Sequence, residues 1–241
     1  MRVGVITDVH SNLTALEAIL AAMPSVDALW CLGDIVGYGA EPNECIARLR
    51  ELGAVCISGN HDLAAIGRVS LDFFNADAAT AATWTAAELG PEARAWLEER
   101  AQITTESGVT LAHGSPYDPV WEYVTSSRVA ARSLQCFETA ICFIGHTHLP
   151  SSFVQQADGS IRTEYRAPGE VVNVRQGRLL ANPGSVGQPR DEDPRAAYLI
   201  YDVDEGTLTW HRVEYPVRTT QERILQAGLP ERLARRLALG L

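Results

Sequence analysis

The chain is short of positive charge, has no paired-cysteine motif and contains no long apolar run. Its 20 Lys and Arg stand against 30 Asp and Glu, a formal net charge of −10. An acidic field of this kind disfavours nonspecific binding to nucleic acid or to an anionic membrane surface. A local positive site is still open to it, because bound cations dominate the potential around them. The five cysteines, Cys31, Cys45, Cys56, Cys136 and Cys142, are odd in number and include no CxxC pair. Cys31, Cys56 and Cys142 fall in short apolar runs that read as strands, where a free thiol behaves as a small buried hydrophobe. Buried thiols in a reducing cytoplasm are therefore expected, not a disulfide framework. No apolar run reaches the roughly 20 residues needed to span a bilayer, and Met1 leads directly into the strand-like segment Arg2 to Thr7 with no signal-peptide pattern. The expectation is a cytoplasmic protein that does not enter membranes. Internal repeats, low-complexity segments and linkers are absent as well.

What remains is an ordinary globular mixture. The 241 residues are 46% hydrophobic and 21% charged, enough for one substantial core and far from a disordered composition. A single domain over residues 1–241 is expected. The first sixty residues alternate strand and helix. Val3 to Thr7 is an apolar run; Leu13, Leu16, Ile19, Leu20 and Met23 then recur at helical spacing, with Ser11 or Asn12 available as cap. Ala28 to Leu32 is a second run, Pro42 to Leu52 a helix with proline in its first turn, and Ala54 to Ile57 a third strand. Such an alternation implies right-handed parallel crossovers.

From about residue 71 to 101 the texture becomes alanine-rich, which predicts a helical insert of two helices broken at Gly90-Pro91. It reads equally as a lid or as a plain helical layer, with the plain layer preferred. Strands return at Val109 to Ala112 and Ile141 to Ile144, with a helix between them near Val129 to Phe137. Asp158-Gly159 and Glu205-Gly206 lie between β-type runs, a hairpin signal; Ala197 to Val203 and Leu208 to Val213 form the arms of the later one. One C-terminal helix is expected over about 219–239. The order predicts an α/β protein, a four-layer αββα sandwich of two mixed sheets packed face to face with helices outside.

Short polar clusters follow the strands: Asp8-Val-His10, Gly33-Asp34, Gly59-Asn60-His61-Asp62, His113-Gly114 and Gly145-His146-Thr-His148. The C-terminal ends of parallel strands are where open α/β sheets bind ligands. Five of the 6 histidines fall in these clusters; only His211, in a hairpin, is left without a role. Imidazole, carboxylate and amide oxygen suit first-row divalent ions, and the absence of thiolate argues against a structural zinc site. An alternating x-His-x on extended backbone would turn Asp8 and His10 to one face, and likewise His146 and His148. Each cluster alone has an ordinary explanation as a cap, a turn or a hydrogen-bonded polar pair. All five in this order, each after an apolar run, do not.

Together these motifs resemble the calcineurin-like metallophosphoesterase superfamily over roughly residues 1–190, and Asn182-Pro183-Gly184-Ser185 resembles its small bacterial phosphodiesterase-like branch. The resemblance implies two divalent metal ions per chain, manganese first, with iron, zinc, nickel or cobalt also compatible. One ion would be held by Asp8, His10, Asp34 and His148, the other by Asp34, Asn60, His113 and His146, with Asp34 bridging. His61 would stand over the substrate phosphate as the catalytic general acid. With only two carboxylates against two divalent ions the centre would stay cationic enough to hold a phosphoryl anion. A shared hydroxide at such a centre attacks phosphorus, and His61, if protonated, donates to the leaving alkoxide. The implied activity is hydrolysis of a small phosphate ester, a diester in preference to a monoester. Protein and nucleotide phosphatases of the superfamily are the alternative, followed by a non-catalytic binding module. The sequence departs from the protein Ser/Thr phosphatases, whose second motif continues Gly-Asp-x-x-Asp-Arg-Gly. Here Gly37 stands in place of the acid partner of the catalytic histidine and Tyr38 in place of the phosphate-gripping arginine. Asn12, Asn43 and Arg190 are candidates for substrate contact, each with an ordinary alternative as helix cap, turn residue or solvated arginine; Arg190 or Arg195 could return the missing charge from another loop.

Overall fold

A computed structural model describes residues 1–241, apart from the side chain of Gln176. The opening alternation becomes β1 (Arg2–Ile6), α1 (Leu13–Ala22), β2 (Ala28–Cys31), α2 (Pro42–Glu51), β3 (Val55–Cys56) and the short α3 (Asn60–Ala65). β1 and β2 run parallel with Val3 opposite Ala28, and β2 and β3 continue the parallel sheet with Cys31 opposite Cys56. The insert supplies α4 (Ala76–Glu88) and α5 (Pro91–Glu98), and its break falls at the expected Gly90-Pro91. Then come β4 (Ile103–Glu106), β5 (Val109–Ala112), α6 (Ser127–Ser133), β6 (Ile141–Phe143), β7 (Ser151–Gln155), β8 (Ile161–Tyr165), β9 (Val171–Asn173), β10 (Leu179–Asn182), β11 (Ala196–Asp202) and β12 (Thr207–Val213). The chain closes with α7 (Val217–Gln226) and α8 (Glu231–Leu237).

The strands form two mixed six-stranded sheets, ordered β3-β2-β1-β11-β12-β9 and β4-β5-β6-β10-β7-β8. Their facing sides share a core that includes Val3, Val5, Trp30, Leu111, Phe143, Leu199 and Trp210. Period-2 alternation sends the other strand residues outward. Ile6, Cys31 and Ile200 meet Leu16 and Ile19 of α1, Ile46 and Leu49 of α2, and Leu97 of α5. On the second sheet Phe153 and Leu180 meet Ala130 of α6. This is the four-layer sandwich read from the sequence. No helix is long and apolar enough to cross a membrane among the described residues.

Several boundaries differ from expectation for local reasons. β4 lies just beyond the insert, where no strand was expected; it is a half-exposed edge strand paired only with β5, so no apolar run marks it. α6 starts before Val129 because the Ser126 hydroxyl accepts the Val129 N–H at 3.4 Å as a cap. The single C-terminal helix is two helices. Gly228 takes a left-handed φ of 70°, where a Cβ would be strained, and Pro230 follows with no N–H to continue the ladder. The chain therefore turns back, and α8 packs Leu233 and Leu237 against Ala78 and Ala81 of α4. All five cysteines are free, and Cys136 is exposed where a buried thiol was expected.

Asn12, a candidate for substrate contact, serves the fold. Its Oδ1 accepts the Ala15 N–H at 3.1 Å, capping α1, and the Thr220 hydroxyl of α7 at 2.9 Å. Its Nδ2 donates to the Gly187 carbonyl at 3.0 Å and to the Tyr215 hydroxyl at 3.3 Å. Asn12→Ala removes a cap worth ~1 kcal/mol and strands buried partners at ~1–3 kcal/mol. Urea unfolding should show a loss of about 2–4 kcal/mol for this variant, while its metal content matches the parent protein; depleted metal would return Asn12 to the site.

Candidate active site

The loops after β1, β2 and β6 carry three of the five polar clusters, and their backbone is not extended. Asp8, His10, Asp34, His146 and His148 all take left-handed φ angles, from 50° to 65°. The x-His-x alternation expected on extended chain is thus replaced by a coiled one. For residues with a Cβ this conformation costs about 1–2 kcal/mol each, and residues in it gather at functional sites. Interlocking backbone hydrogen bonds hold it. The Asp8 N–H donates to the Gly33 carbonyl at 3.1 Å, the His10 N–H to Asp34 at 2.9 Å and the Ser11 N–H to Ile35 at 2.9 Å. Gly59 is required by proximity: a Cβ there would lie 2.1 Å from Asp34 Oδ1.

Each carboxylate keeps one oxygen for the scaffold and turns the other inward. Asp8 Oδ2 accepts the His146 N–H at 3.1 Å, and Asp34 Oδ1 accepts the His61 N–H at 2.9 Å. The imidazoles are oriented the same way. Nδ1 donates to a backbone carbonyl in His10 (Val36, 3.2 Å), His113 (Leu32, 2.9 Å) and His148 (Gln188). That fixes the neutral tautomer whose Nε2 carries a lone pair. These lone pairs converge on one another. His10 Nε2 lies 3.2 Å from His148 Nε2, and Asp8 Oδ1 lies 3.2 Å from His148 Nε2. His113 Nε2 lies 3.2 Å from His146 Nδ1, 3.3 Å from Asn60 Oδ1 and 3.3 Å from Asp34 Oδ2. Asp34 Oδ2 is also 3.7 Å from His10 Nε2, so it stands between the two groups. Buried acceptors brought this close without donors are a poor arrangement for a protein alone and a good one for cations. Asp8 Oδ1 and His146 Nε2 have no hydrogen-bond partner.

The electrostatics agree. Burial works against ionisation of Asp8 and Asp34, yet the surrounding imidazoles hold both carboxyls below the ordinary range. His113 is the exception: burial works against its charge, but Asp34 beside it raises this imidazole to about 9, so without a cation its Nε2 carries a proton toward Asp34 Oδ2 that a cation would displace. Burial pushes His146 down to about 3 and His61 to about 4.

A cavity of about 110 Å³ opens beside these groups, with His61, His146, His148 and Arg190 in its lining. His61 packs edge-on to His10 and Phe74 and against Tyr38. Its Nδ1 is buried without a partner and faces Gly37, where a Cβ would lie only 2.5 Å away. Tyr38 packs against the rings of both His10 and His61, and its hydroxyl accepts from Arg190 Nη2 at 3.4 Å. Arg190 therefore returns a guanidinium to the cavity from another loop, whereas Arg195 is spent on Asp193. Asn43 does not reach the cavity: it donates to the Glu88 carbonyl at 2.8 Å and accepts the Gly90 N–H at 2.9 Å, tying α2 to the α4–α5 turn. His211 stacks on Tyr198, away from the cavity.

Sequence reasoning missed three sets of residues. Phe73, Phe74, Trp121 and Tyr123 form an aromatic rim; the insert thus packs as a helical layer through Ala78 and Ala81 while its leading turn borders the site. Asp62 accepts the Val36 N–H at 3.0 Å and the Gly59 N–H at 2.9 Å, joining the loops that carry Asp34 and His61. Asn182 donates to the Gly145 carbonyl at 2.7 Å and to the Thr147 hydroxyl at 3.0 Å, which sets the His146–His148 turn. The Gly-Asn-His-Asp and Asn-Pro-Gly-Ser motifs signalled the last two; no local pattern signalled the rim.

The calcineurin-like phosphoesterase superfamily domain matches residues 1–206 of the chain. An uncharacterized protein of Methanocaldococcus jannaschii is 37% identical over 246 residues, covering 99% of this chain and 98% of its own. The crystal structure of a metallophosphoesterase from Sphaerobacter thermophilus has a TM-score of 0.92 at 46% identity, covering 100% of this chain and 99% of that one. A hypothetical protein of Pyrococcus horikoshii shares the fold with a TM-score of 0.81 at 18% identity, covering 100% and 98% of the two chains.

The contact between Gly37 and His61 is directly testable. Gly37 has a φ of 91°, so Gly37→Ala adds backbone strain of ~1–2 kcal/mol and drives the new methyl into the His61 ring. The His61 imidazole resonances should move while those of His113 stay in place, and stability should fall by about 1–2 kcal/mol. An unmoved His61 resonance would refute the contact.

Proposed function

The chain belongs to the calcineurin-like phosphoesterase superfamily and is a metal-dependent phosphoester hydrolase; from that premise we propose that it cleaves phosphodiesters at two divalent ions, with His61 as proton donor. The observation that carries this reading is the convergence of buried lone pairs in two groups around Asp34, beside a cavity lined by His61 and Arg190. Asp8, His10, Asp34 and His148 would hold one ion; Asp34, Asn60, His113 and His146 would hold the other. The donor set suits manganese, iron, zinc, nickel or cobalt, and manganese is the first choice for assay. When bound, the two ions supply an activated water nucleophile and polarise the phosphoryl oxygens.

The side chains around them do the rest. Arg190 reaches the cavity from the loop after β10 and binds the phosphoryl oxygens by charge-assisted hydrogen bonds. His61 also comes close to His10 and Asp34, but its role is proton transfer and not ligation. Its Nδ1 is closed off against Gly37, leaving Nε2 for the leaving alkoxide. Burial keeps the resting ring neutral, at about 4, and an arriving phosphate anion favours the imidazolium that general-acid transfer needs. The aromatic rim of Phe73, Phe74 and Trp121 accommodates a bulky substituent and sheds water. With no acid partner for His61 and one guanidinium at the cavity, a diester monoanion is better matched than a monoester dianion, which requires more positive charge.

Metal content separates the roles. Asp34→Asn should lose both ions and His148→Ala one, Asn60→Ala should mainly weaken the second ion, and His61→Ala should keep two ions while activity falls roughly 10²–10⁴-fold. A folded His61→Ala protein depleted of metal would make His61 a ligand.

Substrate class is decided by kcat/KM for bis-p-nitrophenyl phosphate and p-nitrophenyl phosphate with the same metal and pH. The diester should be cleaved at least as well. A monoester preference of about tenfold, ~1.4 kcal/mol in transition-state binding, would replace the diesterase with a phosphatase.

A further inference from the structure

A second cleft, of about 420 Å³, opens from the site cavity and shares Tyr38, Tyr123 and Arg190 with it. Its far wall is α8, which presents Arg232 and Arg236 one helical turn apart. α8 lies beyond residues 1–206, the span of the superfamily match. It is anchored there by Leu233 and Leu237 packed on Ala78 and Ala81. Resting on the hydrolase reading above, we propose that the substrate carries a second phosphate group, bound by Arg232 and Arg236 beside the phosphoryl group that is cleaved.

The charge balance of the cleft motivates this. Three guanidinium groups share one carboxylate, Asp77, which stands 4.0 Å from Arg232 Nε. The chain as a whole carries −10 and has no lysine, so three guanidiniums around one carboxylate stand out from it. Arginines elsewhere often pair with acids, as Arg195 does with Asp193 and Arg223 with Glu41, or donate to backbone carbonyls, as Arg94 does to Ala86. Among the described residues, neither Arg190 nor Arg236 has a side-chain carboxylate partner within salt-bridge distance. Arg190 Nη2 is held by the neutral Gln188 Oε1 at 3.1 Å and Tyr38, and its Nε is buried without a partner. Arg236 Nε donates to the Leu241 main-chain oxygen; its two Nη groups have no partner among the described residues. Burial and the charge of Arg190 both work against the Arg236 cation, so the two half-buried guanidiniums repel each other. A phosphate between them would remove that repulsion, and planar guanidinium forks bind phosphate oxygens in pairs.

Continuity with the catalytic cavity favours one molecule spanning both. The cleft, at about 420 Å³, has the size of a small-molecule pocket, and the acidic exterior opposes a polynucleotide. The second phosphate can sit on a separate position of the substituent or in a contiguous phosphoanhydride chain; both present the same dianion to the arginines.

Calorimetric titration of the manganese-loaded protein tests this independently of turnover. The probes are thymidine 5′-monophosphate, thymidine 3′,5′-bisphosphate and thymidine 5′-diphosphate. At least one second phosphate should tighten binding by about fivefold or more over the monophosphate, and the probe that gains identifies the source. Arg236→Gln should abolish the gain. Arg232→Gln, a change at an exposed side chain that threatens no fold, should reduce it. Gains below about fivefold for both probes, or gains that survive both substitutions, overturn the proposal. If the gain is absent while bis-p-nitrophenyl phosphate is cleaved, the arginine site alone is wrong. If the gain is present but no ester is cleaved, the hydrolase reading alone is wrong.

Discussion

The structure depends on one unfavourable juxtaposition: buried acceptor atoms crowded together with few donors between them. Histidine Nε2 atoms stand 3.2 Å apart across His10 and His148, and Asp34 Oδ2 lies within 3.3 Å of His113 Nε2 and 3.7 Å of His10 Nε2. Left to relax, such groups would turn outward to water. They are kept inward by fixing everything else about them. The opposite ring nitrogen of three histidines donates to a backbone carbonyl, and the second oxygen of each carboxylate is occupied by a backbone N–H. The left-handed backbone at Asp8, His10, Asp34, His146 and His148 belongs to the same constraint. That strain is compensated by the ladder between neighbouring loops and by the close approach that Gly59 permits.

The layers of the fold supply the rigidity. Loops after β1, β2, β3, β5 and β6 all reach the same edge of the sandwich, so the ligand groups are fixed to strands whose facing core includes Trp30, Phe143 and Trp210. Helices then give the site its surroundings. α4 brings an aromatic rim by its leading turn, and α8 folds back onto α4 through Leu233 and Leu237. The positive charge of the region is assembled from distant parts of the chain, with Arg190 on a loop and Arg232 and Arg236 on the last helix. An acidic protein thereby presents a cationic cleft where the fold brings these arginines together, without altering its overall charge.

The parallel strands, the two hairpins and the break at Gly90-Pro91 were legible because each is written in local periodicity or turn chemistry. So were the five polar clusters, since chemistry-bearing residues at strand ends stand out against apolar runs. The C-terminal helix was misread because Gly228 and Pro230 interrupt a pattern that looks continuous on either side. Asn12 and Asn43 have the residue type of a substrate contact, but each spends its amide on helix ends. The Asn12 cap was legible in sequence, with Ala15 three residues on; the remaining partners of both amides are more than 40 residues away.

The sequence alone determined the architecture, the motif set and the kind of chemistry, because strand periodicity and the short-range order of ligand-type residues are local properties. Tertiary structure alone decided which acceptors face one another, that Asp34 stands between two groups, and that the loops are coiled and not extended. It also decided that Phe73, Trp121, Arg190 and Arg236 border one cavity system. Those relations depend on how far-separated segments pack, and no window of sequence contains the distance between them.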